Sequence, residues 1–84
     1  PGIKPLKATM TTLQISGGKK DKLRPGDIVG ALTRDDVLSA DDIGKIKLES
    51  TFGFVAVHSS LAKHALGLIS NNKIKGKKFR AKLL

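Results

Sequence analysis

Segment 50–57 constrains the fold of this chain more than any other part of the sequence. It reads Ser-Thr-Phe-Gly-Phe-Val-Ala-Val and alternates with the two-residue period of a β-strand. Successive side chains of a strand point to opposite faces, so Phe52 and Phe54 share one face and the two valines share the other. We therefore expect a sheet whose valine-lined face packs against helices and whose aromatic face stays open.

Periodicity predicts the remaining elements. Alternating residues predict strands at 10–16, 45–49 and 77–84, beside the strand at 51–58. A leading proline favours a helix at 25–33, a short helical turn is expected at 39–42, and a second helix is expected between Ser59 or Ser60 and Asn71. The order β-α-β-β-α-β predicts an α+β, ferredoxin-like fold. It has a four-stranded antiparallel sheet, with strand order 4-1-3-2 and both main helices on one face.

Strand parity assigns side chains to the two faces of this sheet. The helix-covered face is expected to hold Leu13, Ile15, Ile46, Leu48, Val55, Val57, Phe79, Ala81 and Leu83. The open face is expected to hold Thr12, Gln14, Ser16, Lys45, Lys47, Phe52, Phe54, Lys78, Arg80 and Lys82. Two rings near the centre with basic rims on both sides suit single-stranded nucleic acid, since rings stack on bases and cations hold phosphates.

The charge balance points to a polyanionic partner. Sixteen Lys and Arg residues against seven Asp and Glu residues leave a net charge of +9, which favours nucleic acid first and an anionic membrane second. The cations are segregated. A loop carries Lys19, Lys20, Lys22 and Arg24, and the acid-free tail carries Lys73, Lys75, Lys77, Lys78, Arg80 and Lys82. The loop leads into the predicted helix at Pro25, whose N–H groups and dipole also favour phosphate.

Length and composition limit the other possibilities. The chain has 84 residues, which suits a single domain at 10–84. Residues 1–9 contain two prolines and start without Met, so we expect them to be a linker remnant of a longer chain. The absence of cysteine excludes disulfides and thiol nucleophiles, suits a reducing compartment such as the cytoplasm and argues against a zinc site. No apolar run approaches the roughly 18 residues that a membrane span requires, and no cofactor is expected.

The aromatic strand also carries a recognisable signature. Phe52-Gly53-Phe54-Val55 matches the central positions of the RNP1 signature of the RNA-recognition motif, K/R-G-F/Y-G/A-F-V-x-F/Y. Three flanking positions differ, because Ser50, Thr51 and Val57 replace a basic residue, a glycine and an aromatic residue. On the first strand, Gln14 stands where the motif's second signature usually has an aromatic residue, which weakens the usual two-base stacking and leaves room for another binding surface.

Nearly the whole chain, from about residue 10 to residue 84, resembles one family. The resemblance rests on Gly-Gly-Lys-Lys-Asp-Lys-Leu-Arg-Pro-Gly-Asp-Ile-Val-Gly-Ala-Leu-Thr at 17–33, Ile-Gly-Lys-Ile at 43–46, Phe-Val-Ala-Val at 54–57 and Lys-Ile-Lys-Gly-Lys-Lys-Phe-Arg at 73–80. In this order they resemble the C-terminal RNA-binding domain of DbpA-type bacterial DEAD-box RNA helicases. Where that family has Tyr on the third strand, this chain has Phe54.

The resemblance implies several properties that composition does not show. It implies an RRM-like domain attached after two helicase domains in the same polypeptide. It implies binding of a 23S ribosomal RNA hairpin near the peptidyl-transferase region, and a role in assembly of the large ribosomal subunit. Two alternatives remain open: a free-standing basic ribosomal or nucleic-acid-binding protein, and a protein-interaction module whose sheet phenylalanines dock a partner.

Catalysis by this chain is not expected, although the parent family hydrolyses ATP. Gly17-Gly18-Lys19-Lys20 lacks the spacing and the hydroxyl of a phosphate-binding P-loop. His58 ends a strand and His64 lies mid-helix, and neither shows an obvious carboxylate or nucleophile partner in the sequence. Two histidines without cysteine also make a poor zinc site.

Overall fold

The structure, a computed structural model, describes residues 10–84 and contains an antiparallel sheet and two α-helices. The predicted linker at 1–9 lies outside the described residues. In chain order the elements are β1 (Met10–Ile15), α1 (Pro25–Thr33), β2 (Ile43–Leu48), β3 (Gly53–His58), α2 (Ala62–Ser70), β4 (Lys73–Ile74), β5 (Lys77–Lys78) and β6 (Ala81–Leu83). Single 3-10 turns occupy Lys19–Asp21, Ala40–Asp42 and Ser59–Leu61.

Four strands form the main sheet in the order β2-β3-β1-β6, with every neighbouring pair antiparallel. β3 and β1 are central, and their register places Gln14 opposite Phe54 and Leu13 opposite Val55. The register shifts between Ile43 and Ile46, which marks a bulge on the edge strand β2. The predicted α+β class with a four-stranded antiparallel sheet and two helices is confirmed.

The core lies between the helices and one face of the sheet. Leu13, Ile15, Val55 and Val57 supply the sheet side and are fully buried. The helices contribute Ile28, Leu32, Ala62, Ala65, Leu68 and Ile69. A buried aliphatic side chain contributes about 1.5–3 kcal/mol of transfer free energy, so this layer fixes the other face of the sheet as the open one.

The C-terminal strand differs from its prediction. In place of one strand at 77–84, β4 and β5 pair as a separate hairpin, and only β6 joins the main sheet. Lys75 and Gly76 form its two-residue loop, both with positive φ (52° and 78°), the backbone that a type I′ hairpin loop requires. The expectation that Lys78 lies on the open sheet face is therefore wrong, because it pairs with Lys73 in the hairpin.

Side-chain burial corrects the predicted core at several other positions. Leu83 was expected under the helices but is 39% exposed, because β6 is short and lies at the sheet edge. Leu23, Leu38 and Ile74 were not expected in the core and are nearly fully buried. These three belong to loops or short pieces without periodicity, and they anchor the basic loop, the segment after α1 and the hairpin.

Candidate nucleic-acid interface

One row of side chains crosses the open face of the sheet at its centre. The register pairs Lys47 of β2 with Phe54, Phe54 with Gln14, and Gln14 with Lys82 of β6. Directly opposed residues of antiparallel strands have Cβ atoms about 4.5–5.5 Å apart. An aromatic ring and an amide thus stand side by side, with an exposed lysine at each end of the row.

The two rings predicted to face outward lie on or beside this row. Phe54 is half-buried in β3, while Phe52 precedes the strand and is 37% exposed. Their centroids are 5.4 Å apart, and the ring planes make an angle of 70°. Stacked bases are parallel to one another, so two rings in this edge-to-face arrangement provide one stacking direction rather than two parallel platforms.

Two shallow depressions flank the row. One of about 310 Å³ is lined by Thr12, Lys45, Lys47, Phe54 and Ala56. The other, of about 270 Å³, is lined by Gln14, Ser16, Arg80, Ala81 and Lys82. Each is lined by two cations together with small side chains. This geometry admits a flat group over the strands and a phosphate near the edge.

A second basic surface, which we call the basic cleft, lies where the loop at 19–24 meets the β4–β5 hairpin. Lys19, Lys22, Leu23, Arg24 and Lys75 line a depression of about 350 Å³. Leu23 is 3% exposed, so it holds the loop down while its charged neighbours stay in solvent. The remaining loop cation, Lys20, is also exposed.

The tail cations are less free of acids than the sequence suggested. Lys75 lies 3.7 Å from Asp27, and Lys77 lies 3.5 Å from Asp21. On the sheet face Lys47 lies 3.5 Å from Glu49. The expectation that the tail has no acidic partners is therefore wrong for Lys75 and Lys77. All three pairs are partly exposed, and such pairs contribute only about 0–1 kcal/mol.

Asp21 and Asp27 are the functional neighbours that sequence reasoning missed. The Asp21 carboxylate accepts the N–H of Gly18 (3.1 Å), and that of Asp27 accepts the N–H of Arg24 (2.9 Å). Both pairs have the three-residue spacing of helix capping, a signal visible in the sequence. Because Asp27 already accepts a hydrogen bond at the start of α1, a phosphate would have to compete with it. The preference for phosphate expected at the start of α1 stays a prediction.

The basic loop is attached to the same end of the sheet that carries Phe52. The N–H groups of Lys19 and Lys20 donate to the carbonyls of Glu49 and Ser50, each at 2.8 Å. Gly18 permits this approach, because a Cβ there would overlap the carbonyl oxygen of Glu49. The two basic surfaces, which the sequence could only treat as separate candidates, are thus joined through the turn between β2 and β3.

The histidines have partners that the sequence did not reveal. His64 Nε2 lies 2.7 Å from Asp35 Oδ2, and His58 Nδ1 lies 2.8 Å from the Ser60 hydroxyl. Although desolvation acts to raise it, hydrogen bonds from the Val37 N–H and the His64 ring hold the pKa of Asp35 below its usual value. The Asp35–His64 pair connects the segment after α1 to α2.

Residues 10–84 contain neither a candidate metal centre nor a candidate membrane span. Among them no cluster of three or more metal-ligating side chains occurs. No helix in the same range is long and apolar enough to cross a bilayer.

The chain is similar to known RNA-binding domains over nearly its whole length. A family model described as the DbpA RNA binding domain matches residues 12–83. The chain belongs to the DbpA RNA-binding domain family. The match includes β1 from Thr12 onward, the basic loop, the aromatic strand β3 and the whole of β6, so both basic surfaces lie within the family domain.

Full-length relatives carry the same domain. The ATP-dependent RNA helicase DbpA of Escherichia coli is 49% identical over 82 residues, which covers 98% of this chain and 18% of that protein. DbpA of Bacillus subtilis is 37% identical over 68 residues, which covers 81% of this chain and 14% of that protein. The ATP-dependent RNA helicase DeaD of Mycobacterium tuberculosis is 31% identical over 67 residues, covering 80% and 12%. The chain thus spans less than a fifth of these relatives.

Proposed function

We propose that this domain anchors a DEAD-box RNA helicase to structured RNA. In this proposal residues 10–84 form an RRM-like domain, residues 1–9 lead to the helicase core in the same polypeptide, and the protein works in the cytoplasm. Its target is the 23S ribosomal RNA hairpin near the peptidyl-transferase region, and its role is in assembly of the large ribosomal subunit. Family membership and the names of the full-length relatives support this reading.

The observation that carries the proposal is the row of Lys47, Phe54, Gln14 and Lys82 across the open face. A half-buried ring flanked by cations has a use in RNA recognition, because unpaired loop bases are splayed out and stacked on aromatic side chains. The adjoining basic cleft supplies cations for the hairpin backbone. A hairpin offers both features, unpaired bases in its loop and closely spaced phosphates in its stem.

The RRM-like assignment is supported by the arrangement of the sheet. Its central strands are β3 and β1, the strands on which that motif carries its two signatures, and the helices cover the opposite face. The small β4–β5 hairpin is an addition before the last sheet strand.

Removal of the stacking ring tests the proposal directly. Phe54→Ala is expected to weaken binding of a 23S rRNA hairpin by about 1–3 kcal/mol, or about 5- to 150-fold in Kd. Val37→Ala is the matched control, because Val37 is 47% exposed and lies outside the sheet. The measurement is fluorescence anisotropy with labelled hairpin. If both variants bind like the parent protein, the role of Phe54 is rejected.

The salt dependence of the same assay separates RNA binding from protein docking. Neutralisation of about five or six phosphates predicts a log–log slope near −4. A protein-interaction surface built on the phenylalanines would respond far less to salt. Heteronuclear NMR with labelled protein then maps the footprint, and shifts confined to residues outside the open face and the basic cleft would contradict the proposed interface.

A further inference from the structure

We propose that Gln14 reads the edge of the single unpaired base that stacks on Phe54. This inference rests on the proposed function and adds a specificity-determining residue to it. The starting observation is the register, in which Gln14 and Phe54 are directly opposed on the two central strands. A base lying on the ring therefore has its edge within reach of the glutamine side chain, whose amide is three bonds from its Cα.

The amide of Gln14 is available for such a contact. Within residues 10–84, no side-chain hydrogen bond is found for Gln14, although the residue is half-buried. The Ser16 hydroxyl, directly after β1 and on the same face, is instead used internally, because it accepts the N–H of Arg80 at 2.8 Å. The centre of the open face thus holds a free donor and acceptor pair.

Ring geometry limits recognition to one base at this position. Phe52 and Phe54 meet at 70°, so a base parallel to the Phe54 ring does not find a second parallel ring beside it. What lies next to Phe54 on β1 is the amide. A site with one ring and one amide holds a base by its face and reads it by its edge, whereas two coplanar rings would hold two bases by their faces alone.

An amide and a carboxylate read base edges differently, which gives the inference its test. The glutamine amide both donates and accepts, while glutamate of the same shape only accepts. A matched amide–base pair is worth about 1–3 kcal/mol of discrimination, or about 5- to 150-fold. The lysines at 47 and 82, in contrast, contact phosphate in this arrangement, and phosphate contacts carry no base identity.

The experiment measures binding of three single-stranded RNA decamers, of A, of C and of U, to the 84-residue chain and its variants. We expect Gln14→Glu to change at least one ratio of Kd values between decamers about fivefold or more, and Gln14→Leu to bring all three within about twofold of one another. Lys82→Gln, the control, is expected to weaken all three alike and leave the ratios unchanged.

Each other result overturns the inference while leaving the proposed function separately measurable. Ratios that are unchanged in both Gln14 variants would show that the amide reads nothing. A lack of decamer binding by the parent protein would show that the face does not hold an unpaired base. In either case, retained binding of a 23S rRNA hairpin would leave the proposed anchoring function intact. Loss of hairpin binding as well would reject both.

Discussion

Gly30 tests how α1 is placed on the protein, because it lies in the interior of this helix and on its open outer surface. A Cβ at this position would have no heavy atom of another part of the structure within 4 Å. Gly30→Ala therefore gains no contact and suffers no clash. Its effect is the backbone entropy that glycine loses on folding, about 0.5–1 kcal/mol in favour of alanine.

The size of this effect is measurable by thermal denaturation. For a domain of this length, 1 kcal/mol shifts Tm by about 4–8 °C, so Gly30→Ala is expected to raise Tm by about 2–8 °C. Gly18→Ala is the opposing variant, because its Cβ would overlap the carbonyl oxygen of Glu49 and lie 2.9 Å from the Phe52 N and O atoms. Crowding against backbone is expected to cost about 1–3 kcal/mol.

Circular dichroism melts of both variants, with urea titrations at 25 °C, give the sign of the stability change for each substitution. An unchanged or lower Tm for Gly30→Ala would mean that the outer surface of α1 is not open as the structure shows. An unchanged stability of the Gly18→Ala variant would mean that the basic loop does not pack on the turn between β2 and β3. The reasoning requires opposite signs for the two substitutions, so a common sign refutes at least one of these two placements.

Three further outcomes follow from the described contacts. Gly76→Ala is expected to lower the unfolding free energy by about 1–2 kcal/mol in urea titration, since Gly76 has φ +78°, and an unchanged midpoint would contradict the hairpin. Asp35→Asn should lower Tm at pH 7, and this difference should shrink as the pH is lowered below about 3.9. Because the pKa of Asp35 is lower in the folded protein, its carboxylate stabilises the fold above the unfolded pKa of about 3.9. This contribution is lost as the pH falls through the folded pKa. A Tm difference between parent and variant that grows on acidification would contradict the prediction. The double substitution Lys19→Ala and Lys20→Ala should flatten the salt slope of hairpin binding. Lys63→Ala, at an exposed position, is the control. An unaltered slope in the double variant would remove the basic loop from the interface.

Local sequence patterns predicted the structure correctly where a property depends on one helix or one strand alone. The helix predicted at 25–33 is α1 without a change of boundary, because a proline start and a short apolar stripe are properties of that segment alone. Strand alternation likewise placed Phe54 on the open face and Val55 under the helices. The bounds of β2 and β3 differ from prediction by two residues at some ends, where the bulge and the turn between them depend on strand pairing.

Contacts between residues far apart in the sequence could not be predicted from local patterns. Lys77 and Asp21 are 56 residues apart, and the pairing of Lys75 with Asp27 requires the hairpin to fold back over the start of α1. The alternation of residues continues through 77–84, so it could not predict the break between β5 and β6. Leu38 follows two acids and a valine without helical or strand period, so only its burial identifies it.

The acids found near the tail lysines weaken the electrostatic argument less than their proximity suggests. Both pairs are long, at 3.5 and 3.7 Å, and their lysine side chains are 65% and 42% exposed. A pair of this kind contributes only about 0–1 kcal/mol, so little stability is lost when its lysine turns from the carboxylate to a phosphate. Asp21 and Asp27 also hold backbone N–H groups, so these acids shape the loop and leave its lysines able to exchange partners.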